Sequence, residues 1–322
     1  MRTLLVLALA LSGAAPQEDK PLRIGMIGLD TSHVVAFTQL LNDPKNPNHV
    51  PGARVVAAFK GGSPDVESSA SRIEGFTQTL REKWGVEIVD SIEALCSKVD
   101  CVMIESVDGR PHLEQARPVF AAKKRLFIDK PLAGSWKDGV EIARLAKESG
   151  TPFFSASSVR FYETVIKTRT DPALGGIVGC EAFSPCSLEP HHPDLFWYGV
   201  HGVELLFSVM GPGCESVQRA HSKEIDVVVG RWKGGRMGTF RGIRKGNAAY
   251  GATVFGEKAV RSTLGAQGKT GYRELVVEIV KFFQTGVSPV PVEEMLEVLA
   301  FMQAADLSKE RGGAEVRLSE LK

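Results

Sequence analysis

Side chains able to do chemistry cluster at the ends of apolar runs in this chain. The strand-like segment Arg125–Ile128 leads into Asp129-Lys130-Pro131. A lysine between an apolar strand and a proline-fixed turn is partly desolvated and held in place, which suits acid–base work. Farther on, Val200, Val203, Phe207 and Met210 form an apolar stripe of helical period. On the neighbouring face His201 and Glu204 stand at i, i+3, a spacing that lets Glu204 orient the imidazole. Just ahead, SPCSLEPHHPDLFWY gathers His191, His192, Asp194, Trp197 and Tyr198. Aromatic faces beside paired polar groups suit a sugar ring. Adjacent histidines seldom aim at one centre, and the chain has no Cys-x-x-Cys pair, so no metal is expected. Arg160, in SSVRF, is a candidate partner for a carboxylate or for sugar hydroxyls.

A second group lies where a phosphate would bind. The first apolar run ends in Gly28-Leu29-Asp30-Thr31-Ser32-His33. A dinucleotide-binding turn places glycines at three positions, for the bend, for the approach of pyrophosphate and for helix packing. Only Gly28 meets that pattern. Asp30 stands at the second position, where its carboxylate opposes a diphosphate, and the bulk of His33 stands at the third. Thr31 and Ser32 still offer hydroxyls and amides at a helix N-terminus, and Asp30 to Ser32 can equally be a plain helix cap. At the end of the second run the chain reads Phe59-Lys60-Gly61-Gly62-Ser63. Lys60 and Ser63 there favour a 2′-phosphate, hence NADP over NAD.

Positioning these groups requires two kinds of architecture. Apolar runs at Leu22–Leu29, Arg54–Phe59, Glu87–Val89, Cys101–Ser106 and Arg125–Ile128 alternate with helical stretches at His33–Leu41, Glu67–Lys83, Ile92–Lys98, Pro111–Ala122 and Trp136–Ser149. That alternation predicts an α/β fold, a Rossmann-type doubly wound parallel sheet over residues 21–152. DPKNPNHVPG, residues 43–52, lengthens one link with three prolines. After Thr151 the rhythm changes. Asp226–Trp232, Arg236–Gly242 and Ala249–Phe255 read as antiparallel hairpins, bracketed by helices at Tyr198–Met210, Tyr272–Gln284 and Glu293–Lys309. Residues 153–322 are therefore expected to form an α+β domain with a mostly antiparallel sheet.

Composition narrows the function. The 322 residues are 43% hydrophobic and 24% charged, with 39 basic and 38 acidic side chains. A charge of +1 with no basic stripe excludes a nucleic-acid partner. Five scattered cysteines read as small buried hydrophobes. The opening MRTLLVLALALSGAAPQ places Arg2 before a short apolar run and small residues. This is the pattern of a secretory signal peptide cut after Ala14, too short for the roughly 20 residues that span a bilayer. The expected mature protein is exported, periplasmic or extracellular, with no membrane attachment.

Taken together, several segments resemble the glucose-fructose oxidoreductase / inositol dehydrogenase / MocA (Gfo/Idh/MocA) family. They are IGMIGLD, the strand-four end followed by His112 in RPHLEQA, Asp129-Lys130-Pro131 where the family has Glu-Lys-Pro, Arg160 in SSVRF, GVHGVELL around His201, and VPVEEMLEVLAFMQAADLSKERGG. The resemblance runs from about residue 22 to the end. It implies NAD(P)-dependent oxidoreduction of a sugar or sugar-derived polyol, with Lys130 and His201 managing the hydroxyl proton. Gly28, Asp30, Thr31, Ser32, His33, Lys60, Ser63, His112, Asp129 and Lys130 would then lie along the cofactor. Arg160, His191, His192, Tyr198 and Glu204 would face substrate, and a homo-oligomer would cover the second sheet. The family aspartate four residues before the histidine is Trp197 here. An exported enzyme would have to retain its cofactor through a redox-neutral cycle. The alternative on the same fold is a cofactor-free lyase or carbohydrate-binding protein.

Overall fold

The computed structural model describes residues 20–263 and 272–321; the expected signal peptide lies outside them. The first sheet is parallel, in the order β3-β2-β1-β4-β5-β6. Its strands are β1 (Leu22–Ile27), β2 (Ala53–Phe59), β3 (Glu87–Val89), β4 (Cys101–Ile104), β5 (Arg125–Asp129) and β6 (Phe153–Ala156). The last begins just past the expected boundary at residue 152 and pairs with β5, Leu126 opposite Phe153. The crossovers are α1 (Ser32–Asn42), α2 (Glu67–Ala70), α3 (Ile73–Trp84), α4 (Ile92–Lys98), α5 (His112–Ala121) and α6 (Trp136–Ser149). The single helix expected over 67–83 is thus two, separated at Ser71 and Arg72. β4 and most of β5 are buried end to end, as a sheet covered on both faces demands.

In the second lobe α7 (Glu163–Arg169) precedes β7 (Ile177–Pro185), and α8 (Asp194–Trp197) and α9 (Val200–Met210) follow it. Then come β8 (Cys214–His221), β9 (Ile225–Trp232), β10 (Met237–Ile243), β11 (Gly251–Gly256) and β12 (Val260–Ser262). After α10 (Arg273–Thr285) and α11 (Val292–Glu310), the short β13 (Val316–Arg317) completes a sheet ordered β12-β11-β7-β10-β9-β8-β13. The β9–β10 hairpin forms as expected. The expected pairing of the next two runs does not. β7 lies between β10 and β11, parallel to the first and antiparallel to the second. Periodicity alone left β7 and β8 unseen because their alternation is broken by glycine, proline and charged residues.

α9 is buried on every side, against β7, β10 and α11. A helix apolar all round belongs in a core, and it fixes His201 relative to both sheets. Among the described residues no helix is long and apolar enough to cross a membrane. The five cysteines are free and buried.

Candidate active site

A cleft of about 570 Å3 opens between the lobes over the carboxyl ends of β1, β4 and β5. Lys130 and His201 both line it, with Thr31, Ser32, His33 and Tyr198. The strand-to-turn transition after β5 delivers Lys130. Asp129 Oδ1 accepts the Lys130 amide at 2.9 Å, and the Lys130–Pro131 peptide is cis. Lys130 is 7% exposed, and no hydrogen bond to its ammonium is seen among the described residues. α9 delivers His201, whose Nδ1 lies 2.7 Å from Ser157 Oγ, leaving Nε2 for the cleft. Burial, with Lys130 and His33 as neighbours, holds His201 well below the ordinary imidazole range, so at neutral pH it is an uncharged base.

The chain has four tyrosines, and all four, Tyr162, Tyr198, Tyr250 and Tyr272, line this cleft. Tyr198 and Tyr250 set their rings edge-on to His201, at 4.9 and 5.8 Å between centroids. Burial pushes the Tyr272 phenol up to about 12, so it remains a hydrogen-bond donor. Asn46 and Asn48, from the proline-rich link, and Arg72 and Arg273 complete the polar lining. Sequence reading overlooked Tyr162, Tyr250 and Tyr272. Their scarcity was the available signal, since residues used so rarely and found in one place are doing one job.

Beneath the cleft lies a buried acidic cluster. His33 Nδ1 is 2.6 Å from Asp129 Oδ2, and the imidazole stacks on Phe37. Burial opposes ionisation of Asp129, but His33 and Lys130 outweigh it and hold this carboxyl down at about 2. Glu105, at the end of β4, is fully buried, and neither carboxylate oxygen has a hydrogen-bond partner among the described residues. Burial, reinforced by Asp129 and Asp30, raises its pKa well above the usual range. Glu105 was legible only as one acidic letter closing an apolar strand.

The remaining sequence candidates sit elsewhere. His112 is wholly buried, its ring nitrogens near the carbonyl oxygens of Pro131 (2.9 Å) and Ser106 (3.0 Å), where it braces the Lys130 turn from behind. Arg160 is sealed between Glu204 and Glu294. Glu204 therefore neutralises Arg160 instead of orienting His201, because a buried guanidinium demands carboxylate partners. His191 is on the surface beside Glu189, and Lys60 pairs with Glu74 in solvent. Trp197 sets its ring at a tilt against His192, with centroids 5.2 Å apart.

His192 is buried and neutral. Its Nε2 accepts from the Gly109 amide at 3.1 Å, and Nδ1 lies 3.1 Å from the Pro193 oxygen. Burial lowers its pKa from 6.5 to about 4. Because the folded value is depressed, the associated stability is present above pH 6.5 and is lost as pH falls to about 4. The loss amounts to about 3 kcal/mol. Urea unfolding across that range should show it, and the His192→Gln protein should lack this part of the acid slope.

Residues around the first turn bear on whether a dinucleotide fits. Gly28 (φ +83°) packs so closely on the β4 loop that a Cβ would come within 2.1 Å of Ser106 Oγ. Thr31, not Asp30, caps α1. The Asp30 carboxylate is fully buried and reaches across the carboxyl end of β1. It accepts the Val107 amide at 2.9 Å on the β4 side and Ser69 Oγ at 2.6 Å on the β2 side. A parallel link runs from Ser63 Oγ to Asp108 Oδ2 at 2.6 Å, and Arg110 ties Asp108 to Asp65. Segment 61–72 thus closes over the crevice, with Val66 wholly buried in it. The Asp30 carboxylate thus stands at the carboxyl end of β1 beside Thr31 and Ser32, which line the open cleft, and a dinucleotide laid on this turn would meet that carboxylate and its bridge to segment 61–72.

A six-stranded Rossmann sheet joined to a mixed second sheet, with a cleft at the switch point, defines a class of two-lobed α/β proteins. Within it, residues 22–157, less than half of the chain, match the Gfo/Idh/MocA family model described as "Oxidoreductase family, NAD-binding Rossmann fold". Over 100 residues it is 31% identical to 2,7-anhydro-N-acetylneuraminate hydratase of Escherichia coli (strain K12). That match covers 29% of this chain and 26% of the hydratase, so the chain spans about a quarter of that relative's length. Scyllo-inositol dehydrogenase from Lactobacillus casei, solved with NAD(H) and scyllo-inositol, superposes with a TM-score of 0.77 at 13% identity. The superposition covers 93% of this chain and 100% of that one. Myo-inositol 2-dehydrogenase from Lactobacillus plantarum gives 0.75 at 17% identity, over 92% and 99%. At such identities the likeness shows the fold.

Proposed function

We propose that the chain is an enzyme that moves protons on a sugar-derived acid or carbonyl compound, as a lyase or epimerase does, without a resident dinucleotide. The observation that carries this reading is the pairing of a cleft holding Lys130, His201 and four tyrosines with a crevice closed by Asp30 and segment 61–72. His201 Nε2 takes the proton from a carbon next to the substrate carbonyl or carboxylate. The Lys130 ammonium faces the oxygen on which negative charge develops, in a site where few waters screen it. Tyrosine hydroxyls and Asn46 and Asn48 match the hydroxyl groups of a polyol. Arg72 and Arg273 supply the charge a sugar acid would meet.

The family-model match over residues 22–157 and the NAD-bound neighbours favour a second reading, dehydrogenation of a polyol with NAD or NADP, which requires segment 61–72 to lift off the crevice. Incubating the protein in D2O with aldonic acids, ketoses and inositols, with no nucleotide added, separates the two. Deuterium entering a substrate C–H bond, or loss of water, is the expected result. Turnover that starts only on adding NAD or NADP would overturn it.

Export and self-association belong to the same proposal. The mature protein is expected to begin at Ala15, which its intact mass tests. Second-sheet strands expose Val178, Ile225, Met237 and Val260, and sedimentation should find more than one subunit.

A further inference from the structure

We infer that His33, Glu105 and Asp129 form a binding site for one divalent first-row metal ion in the floor of the cleft. One donor atom from each of the three lies within 4.8 Å of the others. Donors about 2.1 Å from a common ion stand at most about 4.2 Å apart, so movements below an ångström would close them around a metal. The three come from separate elements, α1 and the ends of β4 and β5, on a rigid parallel sheet.

Glu105 is the independent sign of a ligand. It is 0% exposed, and both its oxygens are without a protein partner among the described residues. Buried carboxylates are costly unless a cation or donors satisfy them. Asp30, by contrast, has both oxygens bonded by Val107 and Ser69 and is not available as a donor.

Charge points the same way. With Glu105 deprotonated and the imidazole neutral, as ligation requires, Asp30, Glu105 and Asp129 would bring three negative charges against one from Lys130, leaving two. A divalent ion cancels that excess. One imidazole and two carboxylates suit Mn2+, Zn2+ or Fe2+ better than Ca2+, which prefers six or more oxygens. Three protein ligands leave positions for further donors on the side of the cleft, which His33 and Lys130 both line. A substrate carboxylate or hydroxyl would complete the shell. The site rests on these donors and does not depend on the proposed proton chemistry.

The test uses the whole protein, stripped with a chelator and titrated with Mn2+ or Zn2+ by calorimetry, with melting followed in parallel. One equivalent per chain, a dissociation constant in the micromolar range or tighter, and a rise in Tm of several degrees are expected. Glu105→Gln should weaken binding at least 100-fold while melting like the stripped wild type. If that variant fails to fold, His33→Gln is read in the same way. No saturable binding, or equal binding by the folded variants, overturns the site. Metal binding without sugar turnover would sink only the proposed function, and sugar turnover by protein that takes up no added metal would sink only this site.

Discussion

Replacing Lys130 with alanine should lower turnover by roughly a thousandfold and leave the fold intact. The ammonium is the cleft-wall cation that neighbours the His201 base, and it makes no hydrogen bond that holds structure among the described residues. Removing a preorganised charge of this kind typically costs about 10²–10³ in rate, and losing a proton-handling group costs about 10²–10⁴. The Asp129-to-amide bond that shapes the turn involves the backbone of residue 130 and survives the substitution. The defect should therefore lie in kcat, with KM little changed and the melting temperature within a degree or two of wild type. Arginine should not rescue, because its planar head needs more room than the 7% exposed lysine occupies. Near-normal turnover in Lys130→Ala would remove the cleft from contention as the active site.

The second large effect concerns nucleotide binding. Wild-type protein should release no NAD or NADP on denaturation and should bind neither at millimolar concentration in calorimetry. Asp30→Gly removes the carboxylate that crosses the crevice and both of its bonds. Dinucleotide affinity should then rise by at least tenfold, while stability falls by about 2 kcal/mol because the Val107 amide and Ser69 hydroxyl lose their buried acceptor. A dinucleotide found in purified wild-type protein would show that the closed crevice opens in solution. Weaker binding by Asp30→Gly would show that the aspartate assists the ligand.

Much of the first lobe was legible because the central apolar runs there belong to strands buried on both faces, so hydrophobicity and strand coincide. Lys130 and His201 were singled out through segments that resemble the family, and both line the cleft. What could not be read was pairing across distance. Glu204 stands three residues from His201 on one helix, yet Arg160 is the stronger partner because it is cationic and buried beside it. His191 and His192 are adjacent in sequence and separated in space, one in solvent and one behind the cleft. Asp30 was read as a charge opposing phosphate. That it bridges two loops depends on Ser69 and Val107, which no local pattern connects to it.

The distribution of tyrosine has a practical consequence. Since the cleft holds every phenol ring in the polypeptide, and the four tryptophans are absent from its lining, biosynthetic incorporation of fluorotyrosine would place all of its reporters where small molecules are expected to dock. Fluorine NMR of that protein would then follow occupancy directly, with no background from the rest of the surface.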